Sequence, residues 1–437
     1  MNTLIVLMST VTWGAPLTEA DILGQADARI EQHRKGDAVL KLVSPADKPV
    51  ASDSPVRIEQ TRHAFLFGCN IFKLGKCKTP EDNAAYEKHY AELLNFGTLP
   101  FYWWAYERER SKPDDARTEE IVRWCKAHNV TSKGHPLAWN WVDPGWLPDD
   151  PEIAMKIQFS RIKRCVRRFK KDITIWDVVN EATHYDRPEP KEKAPKLTEA
   201  ITKMGVGEYV RQAFKAARLA NPEATLIIND YRTDPAYAEK IISQLVDEDG
   251  RPLYDVIGIQ SHQHGGAWPV TKIWEVCERF GRFGKPLHFT ETTFLSGQVG
   301  WDLKKKSKES SFKWESTPEG EKRQAAEAVR FYTVLFSHPA VEAVTWWDFT
   351  DQSAWQGAPA GLLRADMTPK PVYEQLKKLI KGKWWTKTNA KSRENGEVRF
   401  RGLFGDYKNT VGSGDRQMTG TFSFDKETTL PVEVRLK

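Results

Sequence analysis

From His63 onward, short apolar runs rich in β-branched residues alternate with longer segments whose apolar positions recur every three or four residues. The short runs fall near 64–69, 95–99, 130–135, 173–180, 224–229, 256–260, 287–290 and 343–347. The run at 173–180, ITIWDVVN, shows no polar alternation, the pattern of a parallel strand covered on both faces. Amphipathic segments at 119–128, 152–169, 206–220, 235–247, 270–280 and 318–337 read as the intervening helices. Eight such strands separated by helices over about 320 residues predict a (β/α)8 TIM barrel. An open doubly wound sheet is the other arrangement of this class, but no glycine-rich phosphate loop follows the first strand.

The two ends of the chain follow a different rule. Residues 18–33 read as an amphipathic helix with Thr18 as N-cap and Asp21 three positions on. The segments 38–43 and 56–60 alternate apolar and polar residues around a Pro, Asp, Ser-rich turn, which predicts a hairpin with one wet face. Alternation returns at 397–404, 416–424 and 431–436, beyond Gly382. An isolated hairpin is marginal in water, so both ends are expected to meet in one small β-sandwich-like accessory unit. This divides the chain into 1–15, 16–61 (helix and hairpin), 62–383 (barrel) and 384–437 (small β unit). Trp384, Trp385, Phe404 and Tyr407 are expected to pack that unit on the barrel rather than to bind sugar.

Composition narrows the function classes. The formal charge of +6 comes from 65 basic against 59 acidic residues without a dense basic block, so no nucleic-acid partner is indicated. The five cysteines are scattered without CxxC or metal-ligand spacing, which supports neither a disulfide framework nor a zinc site. Residues 4–11 are apolar and lead into Thr12-Trp13-Gly14-Ala15, the form of a secretory signal peptide too short to span a bilayer. A secreted or periplasmic location follows as an expectation, with a monomer and no membrane span. The charged runs at 191–196 and 304–308 read as solvated loops. Seventeen tryptophans are many for this length, and flat aromatic faces suit the C–H faces of sugar rings.

The ends of the predicted strands carry the candidate chemistry. The fourth delivers Asn180 and Glu181, the seventh Glu291, the third His135 and then Trp139, the sixth Gln260 and His262, and the eighth Trp347. Barrel active sites lie at this face. Two carboxylates across one mouth are the minimum apparatus for glycoside hydrolysis, one as acid and one as nucleophile or base. Nothing in the set calls for a metal or cofactor, and no GxSxG nucleophile arrangement occurs.

Five stretches, in order, resemble glycoside hydrolase family 10, the retaining endo-β-1,4-xylanases. They are GHPLAWN at 134–140, WDVVNEA at 176–182, AFKAARLANPEATLIINDY at 213–231, IGIQSHQH at 257–264 and FTETTF at 289–294. The resemblance spans residues 62–380. It implies a polysaccharide substrate, xylan or a related β-glycan. It implies Glu291 as nucleophile and Glu181 as general acid/base, which must hold a proton near neutral pH until Glu291 is neutralised by the glycosyl bond. It further implies Asn180 on the sugar 2-hydroxyl, His262 orienting Glu291 with Gln260 beside it, and His135 and Trp139 lining the same subsite. Trp347 and Trp355, 355 − 347 = 8 residues apart, match the family's two cleft tryptophans. The chain departs from the family after the second strand, where Leu99-Pro100-Phe101-Tyr102-Trp103-Trp104 replaces an acid, an amide and a lysine that bind the outer sugar. Asn140 stands for a His, and Thr292-Thr293 for Leu-Asp. Two further readings therefore stand beside a xylanase: the same chemistry on a different or decorated β-linked glycan, and a non-catalytic carbohydrate-binding barrel.

Overall fold

The computed structural model describes residues 17–301, 303, 313–412 and 417–437. The segment read as a signal peptide and the basic run at 304–308 lie outside them.

Thr18 caps the first helix, Glu19–Gly24, and Asp21 reciprocates on the Thr18 N–H. The single helix expected over 18–33 is two, because the chain leaves helical geometry at Gln25 and restarts as Ala26–His33. Two strands follow, β1 (Lys35–Val43) and β2 (Pro55–His63). The barrel strands are β3 (Leu66–Asn70), β4 (Phe96–Pro100), β5 (Thr131–His135), β6 (Ile175–Asn180), β7 (Thr225–Asp230), β8 (Val256–His262), β9 (Leu287–Thr293) and β10 (Val341–Trp346). The C-terminal strands are β11 (Lys387–Lys391), β12 (Glu397–Leu403), β13 (Gly405–Val411), β14 (Met418–Phe424) and β15 (Val432–Arg435).

Strands β3 to β10 close in chain order into a parallel barrel, β10 pairing with both β9 and β3. All six residues of β6 are buried, as its unbroken apolar pattern requires. Its Trp176 indole lies flat across β5, where a Cβ on Gly134 would stand 2.2 Å from the ring, so only glycine fits there. Long capped helices cover the barrel: Asp150 caps Pro151–Arg168 and Thr317 caps Pro318–Ser337. No described helix is long and apolar enough to cross a membrane.

The hairpin expected from β1 and β2 does not form. β1 pairs with β12 and β15, and β2 pairs with β11 and β13, which places the two strands in separate sheets of order β12-β1-β15 and β11-β2-β13-β14. Alternation reports one wet face but not which strand lies alongside. The sheets share a core of Leu40, Leu42, Val56, Ile58, Val398, Phe400, Tyr407, Phe422 and Val434, so both chain ends build one unit. Arg34 fastens this unit to the barrel layer by donating to the carbonyls of Phe336, His338 and Val341 at 2.7, 2.6 and 2.6 Å. Trp384 packs on Phe67 and Phe336, and Tyr407 is fully buried in the sandwich. The run at 191–196, expected as a solvated loop, instead passes through two short helices, Pro188–Lys193 and Pro195–Met204, with Ala194 buried between them and Leu197 buried in the second.

Candidate active site

At the C-terminal mouth of the barrel, β6 ends at Asn180 and Glu181 turns into the left-handed region with φ 58°. This turn is held by the Glu181 N–H on the Asn229 carbonyl at 2.9 Å. A non-glycine residue in that region is a modest strain characteristic of functional sites. Glu291 lies in β9, in register with Gln260 of β8. Both acids are buried, at 7% and 5% exposure.

The acids are joined by one continuous hydrogen-bond network. Thr290 Oγ1 donates to Asn229 Oδ1 at 2.6 Å, which fixes which way that amide points. Asn229 Nδ2 then donates to Glu291 Oε1 at 3.0 Å and to Asn180 Oδ1 at 2.8 Å. Gln260 Nε2 donates to the same Asn180 oxygen at 3.1 Å and to Glu181 Oε1 at 3.2 Å. With Oδ1 of Asn180 taken by two donors, its Nδ2 is left as the donor at the mouth, 3.4 Å from Glu181 Oε1. Gly258 is required beneath this network, because a Cβ there would meet Asn229 Oδ1 at 2.6 Å.

Two imidazoles flank Glu291. His262 Nε2 lies 3.1 Å from Oε2, and His135 Nε2 lies 3.8 Å from Oε1. His135 is oriented from behind by Asp177, which lies 2.7 Å from Nδ1 and also accepts Lys133 Nζ at 2.7 Å. Burial opposes charge on Asp177, yet Lys133 and His135 hold its carboxyl below the usual range. Burial pushes the His262 imidazole down to about 3, so it faces Glu291 as a neutral ring.

Burial also pushes the Glu291 carboxyl up to about 7, with His135 opposing the shift and Glu181 adding to it as a like charge. The hydrogen-bonding partners of Glu291 are an amide and an imidazole, whereas Glu181 Oε2 accepts the Arg187 guanidinium. One consequence concerns stability. Below pH 4.5 Glu291 is protonated in both folded and unfolded chains and contributes nothing; as pH rises to 7 the unfolded chain releases a proton that the folded chain retains, so stability falls. Glu291→Gln is therefore expected to be more stable than the parent above pH 7 by up to about 3 kcal/mol, a gain that vanishes near pH 4. Urea unfolding of both proteins across pH checks it.

An aromatic wall borders the acids. Trp347 meets His135, His262 and Phe72 at 5.5, 5.8 and 5.7 Å between ring centres. Phe72 leads to Tyr102, Tyr102 to Trp104, Trp104 to Trp139 and Trp139 to Trp141, at 5.8, 5.2, 6.0 and 5.0 Å. On the other side Trp355 lies 4.6 Å from His262. The stretch of 99–104 thus divides. Tyr102 and Trp104 join the wall, while Leu99, Phe101 and Trp103 are buried behind it. Phe101 stacks edge-on against Trp176, and the Trp103 indole donates to Glu107.

The structure gathers all nine residues singled out in the sequence, Glu181, Glu291, His135, Trp139, Asn180, Gln260, His262, Trp347 and Trp355, into one contiguous set. It adds Lys133, Asp177, Asn229, Thr290 and Arg187. Lys133 and Asp177 carried a signal, since a charge inside a buried strand requires a partner. Arg187 carried none.

The pattern of Glycosyl hydrolase family 10 matches residues 72–379. The chain belongs to this family. Endo-1,4-beta-xylanase B of Thermotoga neapolitana is 28% identical over 298 residues, which cover 64% of this chain and 78% of that protein. Anti-sigma-I factor RsgI6 of Acetivibrio thermocellus is 24% identical over 413 residues, 91% of this chain but only 47% of its own length. The chain spans 38% of endo-1,4-beta-xylanase 1 of Arabidopsis thaliana at 25% identity. Among solved structures, xylanase 10B from Thermotoga petrophila RKU-1 in complex with xylobiose superposes with TM-score 0.60 at 24% identity, covering 73% of this chain and 95% of that one. That likeness shows the barrel fold.

Proposed function

We propose that the protein is a retaining, endo-acting β-glycosidase that hydrolyses β-1,4-xylosidic bonds in xylan by double displacement. The observation that carries this reading is the network joining Glu181 to Glu291 through Gln260, Asn180 and Asn229. In the first step Glu291 attacks the anomeric carbon while Glu181 gives its proton to the departing glycosidic oxygen. In the second step Glu181 takes a proton from water, whose oxygen displaces Glu291 and restores the β configuration. The amide of Asn180, with its oxygen occupied, is aimed to donate to the 2-hydroxyl, a contact that strengthens as positive charge develops at the anomeric carbon. Asn229 and the neutral His262 orient the Glu291 carboxylate, and Asp177 holds His135 beside it. The apolar run at 4–11 supports export from the cytoplasm as part of the same reading.

The outer sugar on the uncleaved side meets Phe72, Tyr102 and Trp104 in place of the family's acid, amide and lysine, and stacking replaces hydrogen bonds there. Stacking discriminates less between pyranose rings than buried hydrogen-bond partners do. The expected result is reducing-sugar release from glucuronoxylan and arabinoxylan, with weaker but measurable release from mixed-linkage β-glucan. Binding without release on every member of that panel, β-1,3-xylan and cellulose included, would mark a non-catalytic barrel.

A further inference from the structure

The two oxygens of Glu181 are held differently. Oε1 faces the network, whereas Oε2 faces outward and forms an ion pair with Arg187. In the reaction proposed above, an acid/base residue stands beside the departing sugar, so Arg187 lies on the leaving-group side. Its guanidinium is sandwiched between Trp141 and Tyr231, 5.3 and 5.5 Å from their ring centres. Lys193 Nζ lies 5.0 Å over the same Trp141, is exposed, and forms no ion pair among the described residues. Arg232 reaches round to His184, whose other ring nitrogen contacts the Tyr231 hydroxyl. Burial, then Arg232 and Arg187, hold the His184 imidazole below its usual range, as a ring in a positive field would be. The nearest acid besides Glu181 is Glu189, 3.8 Å from Arg187 and mostly exposed. Nη1 of Arg187 is buried and has no hydrogen-bond partner.

This arrangement conflicts with the chemistry unless something moves. The outer oxygen of the residue that must deliver a proton is occupied by a permanent cation, Arg187. An anion arriving on the leaving-group side would resolve the conflict by competing for Arg187.

We propose that Arg187, assisted by Lys193, captures a carboxylate carried by the substrate on the leaving-group side, such as a uronic acid branch on a xylan backbone, and that drawing Arg187 away frees the outer oxygen of Glu181 to face the departing glycosidic oxygen. The protein is then an enzyme selective for acid-decorated xylan, activated by the decoration it recognises. The inference rests on the glycosidase reading and adds the substrate class.

The test compares kcat/KM for xylo-oligosaccharides bearing a glucuronic acid branch next to the scissile bond with the same compounds after reduction of the carboxyl to a neutral alcohol. The parent protein should favour the acidic substrate about 10- to 100-fold at low salt, the range of one charge-assisted contact, and the ratio should fall toward one near 1 M NaCl. Arg187→Gln should bring the ratio near one at low salt, Arg187→Lys should leave it intermediate, and Lys193→Gln should lower it partially. Equal use of both substrates by the parent protein, or an undiminished ratio in Arg187→Gln, overturns the inference while leaving the glycosidase reading intact. Failure to cleave either compound counts against the glycosidase reading, and the inference falls with it.

Discussion

Glu291→Ala is expected to reduce kcat on xylo-oligosaccharides about 10⁵-fold, equivalent to about 7 kcal/mol of barrier. The loss is large because no other group at the mouth can replace the attacking carboxylate. Its hydrogen-bonding neighbours, Asn229 and His262, offer an amide and a neutral imidazole, not a second carboxylate. The space left by the side chain admits a small anion. Added azide should therefore restore turnover on an aryl xylobioside and yield the α-glycosyl azide, since a single displacement inverts the anomeric centre. A fall of less than tenfold, or rescue that gives the β product, would assign nucleophilic attack to another residue.

Glu181→Ala carries the second large effect, and its size should depend on the leaving group. A xylan leaving group is a poor alkoxide and needs the proton, so loss of about 10³- to 10⁴-fold is expected, the upper range for general acid catalysis. An aryl glycoside with an acidic phenol needs no such help in the first step. Rapid release of one equivalent of phenol should then be followed by slow turnover, because the second step still lacks its base. Azide should accelerate that second step and give the β-glycosyl azide, the opposite anomer from Glu291→Ala. Equal losses on both substrate types would show that Glu181 acts mainly through the structure of the mouth.

Much of the barrel was legible because each strand is buried on both faces, and a short β-branched run bounded by polar helices has few other uses. Glu181 and Glu291 were legible for a related reason: each is a charge at the end of such a run, where burial is costly unless the group has work to do. Lys133 and Asp177 lay in plain view within β5 and β6, but their pairing across neighbouring strands depends on register, which one strand's sequence does not record. The pairing of β1 is hidden for the same reason, since its partner β12 lies near the far end of the chain. Arg187 was hidden in a stretch whose charge density suggests solvent, HYDRPEPKEK. Only the approach of Trp141 and Tyr231 from separate loops makes it part of the site. The aromatic replacement at 99–104 was visible as composition, yet which rings reach the cleft was decided by the start of the helix Trp103–Tyr106, which turns Trp103 inward and Trp104 out.

The pairing of Glu181 with Glu291 in a double displacement is tested most directly by trapping the covalent intermediate. The protein is incubated with an activated 2-deoxy-2-fluoro-xylobioside, digested at low pH, and its peptides are sequenced by mass spectrometry. The expected result is one fluoroxylobiosyl group per chain, attached to Glu291 in the peptide containing FTETTF. Attachment to Glu181 or any other residue, or hydrolysis of the parent xyloside with inversion and no trapped species, would contradict it.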